Sequence, residues 1–286
     1  MRTRIFNLSV FLTIANLTTT LLPADEEWQL KLHKQTANKG GEFQASEETV
    51  SWDPARTAII IVDMWNNHSC KSAAQRVTEM APHMNRVLHA ARDKGVLIIH
   101  APSNCMAAYK GTPARQRAQD ASFAAAPVKF QWNYFDAGRE GALEPKLEQG
   151  GCSCDADEPC PGKPNWTSQI ATLEILDRDA VSDDGQEIHN LLTERRIENV
   201  ILMGVHTNRC VLGRPFGIRQ MVYLGRNVVL CRDLTDSFHR DPGNHFSGLK
   251  RIIAHVEKYW CPTISSDSIT GDRPFVFAGK DQVTVQ

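Results

Sequence analysis

The chain has 286 residues, 42% of them hydrophobic, with 32 Lys+Arg against 33 Asp+Glu and a formal charge of −1. That length supports one domain with a large core and room for insertions. A nearly balanced charge gives no electrostatic case for nucleic acid or an anionic membrane surface as partner.

The chain opens with Arg2 and Arg4, a mostly apolar run over residues 5–17, and an Ala24-Asp25 junction followed by Glu26 and Glu27. This reads as a secretory signal peptide over residues 1–24, which sends the mature chain to the periplasm or the medium. The apolar run is short and interrupted by Asn and Thr, which argues against a membrane span. An uncleaved anchor is the alternative. Eight cysteines are many for a reducing cytosol and ordinary for an exported protein.

Residues 25–56 are polar without sustained periodicity and read as an amino-terminal arm lying on the domain. Residues 57–62, TAIIIV, are a β-branched apolar run ending on Asp63, as in a central parallel strand buried on both faces. Residues 73–94 carry Val77, Met80, Met84, Val87, Leu88 and Ala91 at helical spacing and stop at Gly95, a C-cap signal. A strand over residues 96–99 ends on His100 and completes a βαβ unit. Residues 104–169 break the rhythm as a long insertion rich in Ala, Gly, Pro and Trp, and a loop of that length is functional or inserted. Residues 170–176 read as a strand, 185–196 as a helix, 200–203 and 228–231 as strands, and 246–259 as the last helix. The domain therefore spans 57–261, with a tail over 262–286. Alternating strands and helices predict an α/β fold with a parallel sheet covered on both faces.

Cys210 lies where the strand over 200–203 meets the following helical segment. A thiol there faces unpaired backbone N–H groups and the positive end of a helix dipole, which favours the thiolate. This is also the edge at which open α/β sheets bind ligands. A buried structural cysteine is the other reading. Asp63, at the end of its own strand, is placed to take a proton from a thiol; a capping role is its alternative.

The segments TAIIIVDMWN, GVHTNRCV and VVLCRDLTDS resemble the isochorismatase-like cysteine hydrolase superfamily, which includes nicotinamidases and N-carbamoyl amide hydrolases. The resemblance implies a three-layer α/β/α fold, Rossmann-like, with a six-stranded mainly parallel sheet. It implies Cys210 as nucleophile, Asp63 as general base and acid, and a cis Val205–His206 bond. It also implies an oxyanion hole from the backbone at Val205, His206 and Cys210. The substrate would be a small molecule with an amide or related C–N bond, and self-association into a homo-oligomer is common in such folds.

The third member of the family's triad, a Lys, has no counterpart here. Its place falls near Asp177, Arg178 and Asp179. Arg178 could hold a thiolate but could not shuttle a proton; Lys129 or His206 are the other candidates to stand in. His206 is expected beside Cys210, where a Cys–His pair would make a thiolate, and Trp65 and His206 are expected to contact substrate. Trp132, Tyr134 and Trp166 are further candidates to line a pocket. No cofactor is required. A metal would draw on His68 and His100 with Asp63 and Cys70, in a spacing that matches no standard zinc pattern. Cys152, Cys154 and Cys160 form disulfides in an exported chain or a three-thiolate metal knuckle; the sequence leaves the two open. Two other readings of the whole chain stand beside the thiol hydrolase: a binding protein that keeps the pocket without the chemistry, and a metal-dependent hydrolase.

Overall fold

The computed structural model describes residues 28–148, 150–152, 154, 160, 162–163, 166–240 and 245–278. The expected signal peptide lies outside the described residues. Its strands are β1 (Trp28–Ala37), β2 (Phe43–Trp52), β3 (Thr57–Val62), β4 (Leu97–Ala101), β5 (Ala180–Val181), β6 (Asn199–Val205), β7 (Asn227–Asp236) and β8 (Thr263–Ile264). Its helices are α1 (Lys71–Asp93), α2 (Pro113–Asp120), α3 (Pro145–Glu148), α4 (Gly185–Glu194), α5 (Ile218–Tyr223), α6 (His245–Tyr259) and α7 (Asp267–Thr270). Among the described residues no helix is long and apolar enough to cross a membrane.

The strands form one sheet of eight, in the order β2-β1-β8-β7-β6-β3-β4-β5. Six of them, β8 through β5 in that order, are parallel. The expected α/β class and six-stranded parallel set are therefore present, with two further strands added. Those two are a correction. The segment expected to lie on the domain as an arm is an antiparallel hairpin, and β1 pairs with β8 at His33 and Thr263. Only Trp28, Leu30 and Leu32 alternate inward from β1, while β2 is largely exposed, so the period-2 signal covers half of one strand. The short strand β8 comes from the segment expected as a patternless tail. A second correction concerns residues 170–176, which are irregular; the strand that pairs with β4 is Ala180–Val181. Of residues 170–176 only Leu173 is buried, too little apolar surface to hold a core strand.

All six residues of β3 are buried. Ala58, Ile60 and Val62 face a cluster with Ile188 and Leu191 of α4, Met221 of α5 and Val256 of α6. Ile59 and Ile61 face the other side, with Met80, Met84 and Leu88 of α1 and Ile269 of α7. Strand alternation thus sends neighbouring side chains into two separate cores, which makes the sheet the middle of three layers. Each buried Ile contributes about 1.5–3 kcal/mol, so the central strands are the fixed frame on which the loops at their carboxyl ends are mounted.

Candidate active site

β3 and β6 are adjacent and parallel, with Val62 opposite Gly204. Their carboxyl ends therefore bring Asp63 and the turn after β6 side by side. Gly204 has φ 108, and a Cβ there would lie 2.1 Å from the Val62 carbonyl oxygen. Only glycine permits that approach. The Val205–His206 peptide bond is cis, as expected. Residues Thr207–Val211 form one turn of π-helix in which the N–H groups of Arg209 and Val211 donate to the His206 carbonyl. The turn is tied down on both sides. Thr207 Oγ1 bonds Thr235 Oγ1 at 2.7 Å and the Asp236 carbonyl at 3.0 Å. Asn208 Nδ2 donates to the carbonyls of Leu147 at 2.6 Å and Phe238 at 2.9 Å.

Asp63 and Cys210 meet in this frame, close enough that each shifts the other's ionisation. Asp63 is fully buried and sits at φ 50. Its Oδ1 accepts the Ser103 N–H at 2.7 Å, and its Oδ2 accepts Arg214 Nε at 3.2 Å. Burial raises the Asp63 carboxyl above its ordinary value, against the downward pull of Arg214, Cys210 and Ser103. Burial also pushes the Cys210 thiol well up, with the Asp63 charge adding to it; Arg214 and the His206 backbone N–H act the other way. The expectation that this position lowers the Cys210 thiol and favours the thiolate is corrected. At 8% exposure desolvation outweighs the neighbouring backbone N–H and Arg214, so burial favours the neutral form of the thiol. The most acidic thiol shift lies elsewhere: Cys70 stands lowered to about 7, where bonds from Ser72 and neighbouring groups overcome an upward push from burial.

The cation of the site is Arg214. Its guanidinium contacts Asp63 and Cys210 and stands 5.1 Å over the Trp132 ring. Arg178 and Lys129, the cations considered from sequence, are both exposed. A signal for Arg214 was present: it lies four residues after Cys210, the spacing that places two side chains on one helical face, and its N–H donates to the Cys210 carbonyl at 3.0 Å.

His206 does not pair with the thiol. Its ring packs against His68 at 5.0 Å and Phe238 at 5.2 Å. Burial, then His68, lowers it to about 3, so it is a neutral imidazole; only its backbone N–H faces the sulfur. Trp65 is buried, donates its indole N–H to the Ser103 carbonyl at 3.0 Å, and stacks on Trp166 at 4.1 Å. It stacks with Trp166 and His68, one face being covered by Trp166. Tyr134 is 76% exposed. His206 Nε2 is buried with no protein partner among the described residues.

The expected meeting of His68 and His100 does not occur. His100 is buried in a separate network, its ring nitrogens 3.0 Å from Gln169 Oε1 and 3.3 Å from Asp179 Oδ2. Among the described residues, the potential metal ligands that do converge are Cys70, Cys152, Cys154 and Cys160.

No family model matches this sequence, and no curated protein matches it. Solved structures do. The chain resembles structures of isochorismatase-type proteins. One is a cysteine hydrolase from Pseudomonas syringae pv. phaseolicola 1448A, 15% identical over 77% of this chain and 96% of that one, with a TM-score of 0.46. Another is an isochorismatase family protein from Desulfovibrio vulgaris subsp. vulgaris str. Hildenborough, 21% identical over 70% and 90%, with a TM-score of 0.39. A third is N-carbamoylsarcosine amidase from Thermoplasma acidophilum, 14% identical over 74% and 97%, with a TM-score of 0.41. Likeness this distant says nothing of chemistry, which rests on the residues of this chain.

Proposed function

We propose that the protein is an exported thiol-dependent hydrolase of a small amide or related C–N bond. The observation that carries this reading is the buried Asp63–Cys210 pair with the guanidinium of Arg214 on both. Asp63 takes the thiol proton as Sγ forms a bond to the carbonyl carbon. The negative charge that develops on the carbonyl oxygen is received by backbone N–H groups of the 205–210 turn. The C–N bond then breaks, the proton held by Asp63 passes to the leaving nitrogen, and a thioester remains. Water attacks that thioester, gives one proton to Asp63, and the thiolate leaves and recovers the proton. Arg214 keeps its charge throughout. It balances the negative charge as that charge moves from carboxylate to sulfur, so no proton need pass through it. The absence of a Lys is then no obstacle, since Asp63 alone makes each transfer.

His206 Nε2, beside the rings of His68 and Phe238, supplies a polar contact for the substrate. The metal-dependent alternative loses its support, because His68 and His100 are apart. The binding-protein alternative draws on the strongly suppressed ionisation of Cys210. Acid quenching of the protein during incubation with small amides, followed by peptide mass mapping, separates the two. The hydrolase reading expects an acyl adduct on Cys210 and release of amine or ammonia. Saturable binding without adduct or turnover, unchanged in Cys210→Ala, would establish the binding protein instead.

A further inference from the structure

We infer that Cys70, Cys152, Cys154 and Cys160 bind one zinc ion in a closed four-thiolate site that fastens the insertion to the start of α1. The four sulfur atoms lie within 4.8 Å of one another. Cys70 Sγ is 3.5 Å from Cys154 Sγ, and Cys152 Sγ is 3.2 Å from Cys160 Sγ. A tetrahedron of zinc–sulfur bonds of about 2.3 Å has sulfur–sulfur edges of about 3.8 Å. Both of these separations are somewhat shorter than that edge, and no pair of the four is more than 4.8 Å apart. They are far longer than the disulfide bond of about 2.05 Å.

The surroundings are those of anionic sulfur. The Lys71 N–H donates to Cys160 Sγ at 3.3 Å, the Ser72 N–H to Cys154 Sγ at 3.3 Å, and the Cys154 N–H to Cys152 Sγ at 3.3 Å. The first two donors are first-turn amides at the amino end of α1, a 23-residue helix, where the dipole favours negative charge. The Ser72 hydroxyl adds contacts of 3.3 Å to Cys70 and 3.1 Å to Cys154. Two neutral disulfides would gain little from amides aimed at sulfur, and nothing requires two such bonds to meet at one point. Four thiolates around a divalent ion require both. Binding displaces one proton from each thiol and leaves the site at two negative charges, which the amides and helix end offset.

Four protein sulfurs leave no open position, so the ion is structural and takes no part in the reaction. Its effect on the site is positional. The Cys70 N–H donates to His68 Nδ1 at 3.0 Å, and His68 packs against Trp166 and His206. The clamp thus positions His68 against the His206 ring of the turn that carries Cys210, and the inference stands whether or not the chain is a hydrolase.

The test uses the full chain, purified without reductant or chelator, with metal content, free thiols and intact mass measured together. The expected result is one zinc per chain, four thiols masked until the ion is withdrawn, and the mass of the reduced chain. Cobalt replacing zinc should give the intense ligand-field and thiolate charge-transfer spectrum of tetrahedral sulfur coordination. The double substitution Cys154→Ser, Cys160→Ser should lose the ion while circular dichroism keeps the α/β signal. A chain free of metal and lighter than the reduced form by about 4 Da, the mark of two disulfides, would overturn the inference. So would zinc that persists at full stoichiometry in the double variant, or a cobalt spectrum lacking sulfur charge transfer.

Discussion

Two Arg–Asp pairs in this molecule are built from the same residues and behave in opposite ways. Arg92 grips Asp179 with Nε at 3.0 Å and a terminal nitrogen at 2.7 Å. Asp179 also faces His100 and accepts the Leu176 N–H at 2.8 Å. Burial alone would raise this carboxyl, yet His100, Arg92 and Leu176 hold it down to about 2. Arg214 reaches Asp63 through one nitrogen at 3.2 Å, and one backbone N–H completes the set of nitrogen donors. There burial wins and the carboxyl is raised. What separates the two pairs is therefore the balance of burial against donors: burial prevails at Asp63, and the donors prevail at Asp179.

The largest effect that can break this comparison is expected from Asp63→Asn. It keeps an acceptor for the Ser103 N–H but cannot take a proton, so turnover should fall by about 10²–10⁴-fold with little change in melting temperature. Equal loss of stability and activity would make Asp63 a second structural pair. Arg92→Ala should do the reverse. Leaving Asp179 buried and unpaired should cost about 3–5 kcal/mol in chemical denaturation, while the folded fraction keeps its turnover rate. Arg214→Lys sharpens the role of the cation. Charge is retained but the planar contact and the stacking on Trp132 are lost, and a reduction in kcat of roughly tenfold is expected. An unchanged rate would mean that charge alone suffices.

The smallest effect is a displacement along the pH axis. Asp179, lowered on folding, gives stability that is present above its unfolded value and lost as pH falls through about 2. Asp63, raised on folding, must be ionised to act, so kcat/KM should fall while pH is still above the ordinary carboxylate range. Activity should therefore disappear at a higher pH than the fold, as followed by parallel rate and circular-dichroism titrations. Coincident transitions would contradict the distinction between the two carboxylates.

The central sheet was legible because β3 is a β-branched run and β6 and β7 each hold a short apolar run, and the site was legible because Asp63 closes β3 and Cys210 lies in the turn that follows β6. The hairpin β1–β2 was not, since its exposed faces carry Lys, Glu and Gln and only Trp28, Leu30 and Leu32 keep the alternation. A two-residue strand such as β8 has no periodicity to read. Arg214 was hidden for a different reason. The resemblance places a lysine before α4, whereas the cation comes from the helical segment that carries the nucleophile. The four-cysteine cluster joins Cys70 to residues more than eighty positions away, a distance in sequence that no local pattern spans. His206 misled because its backbone and its ring face opposite neighbours, and sequence places only the residue.

The most direct measurement is a double-mutant cycle on amide hydrolysis with Asp63→Asn, Cys210→Ser and the pair together, each variant first shown to be folded. If Asp63 and Cys210 act as one unit, either single change should remove nearly all turnover and the double should be no slower than the worse single variant. Losses that multiply in the double variant, or hydrolysis that survives Cys210→Ser, would contradict a thiol activated by Asp63.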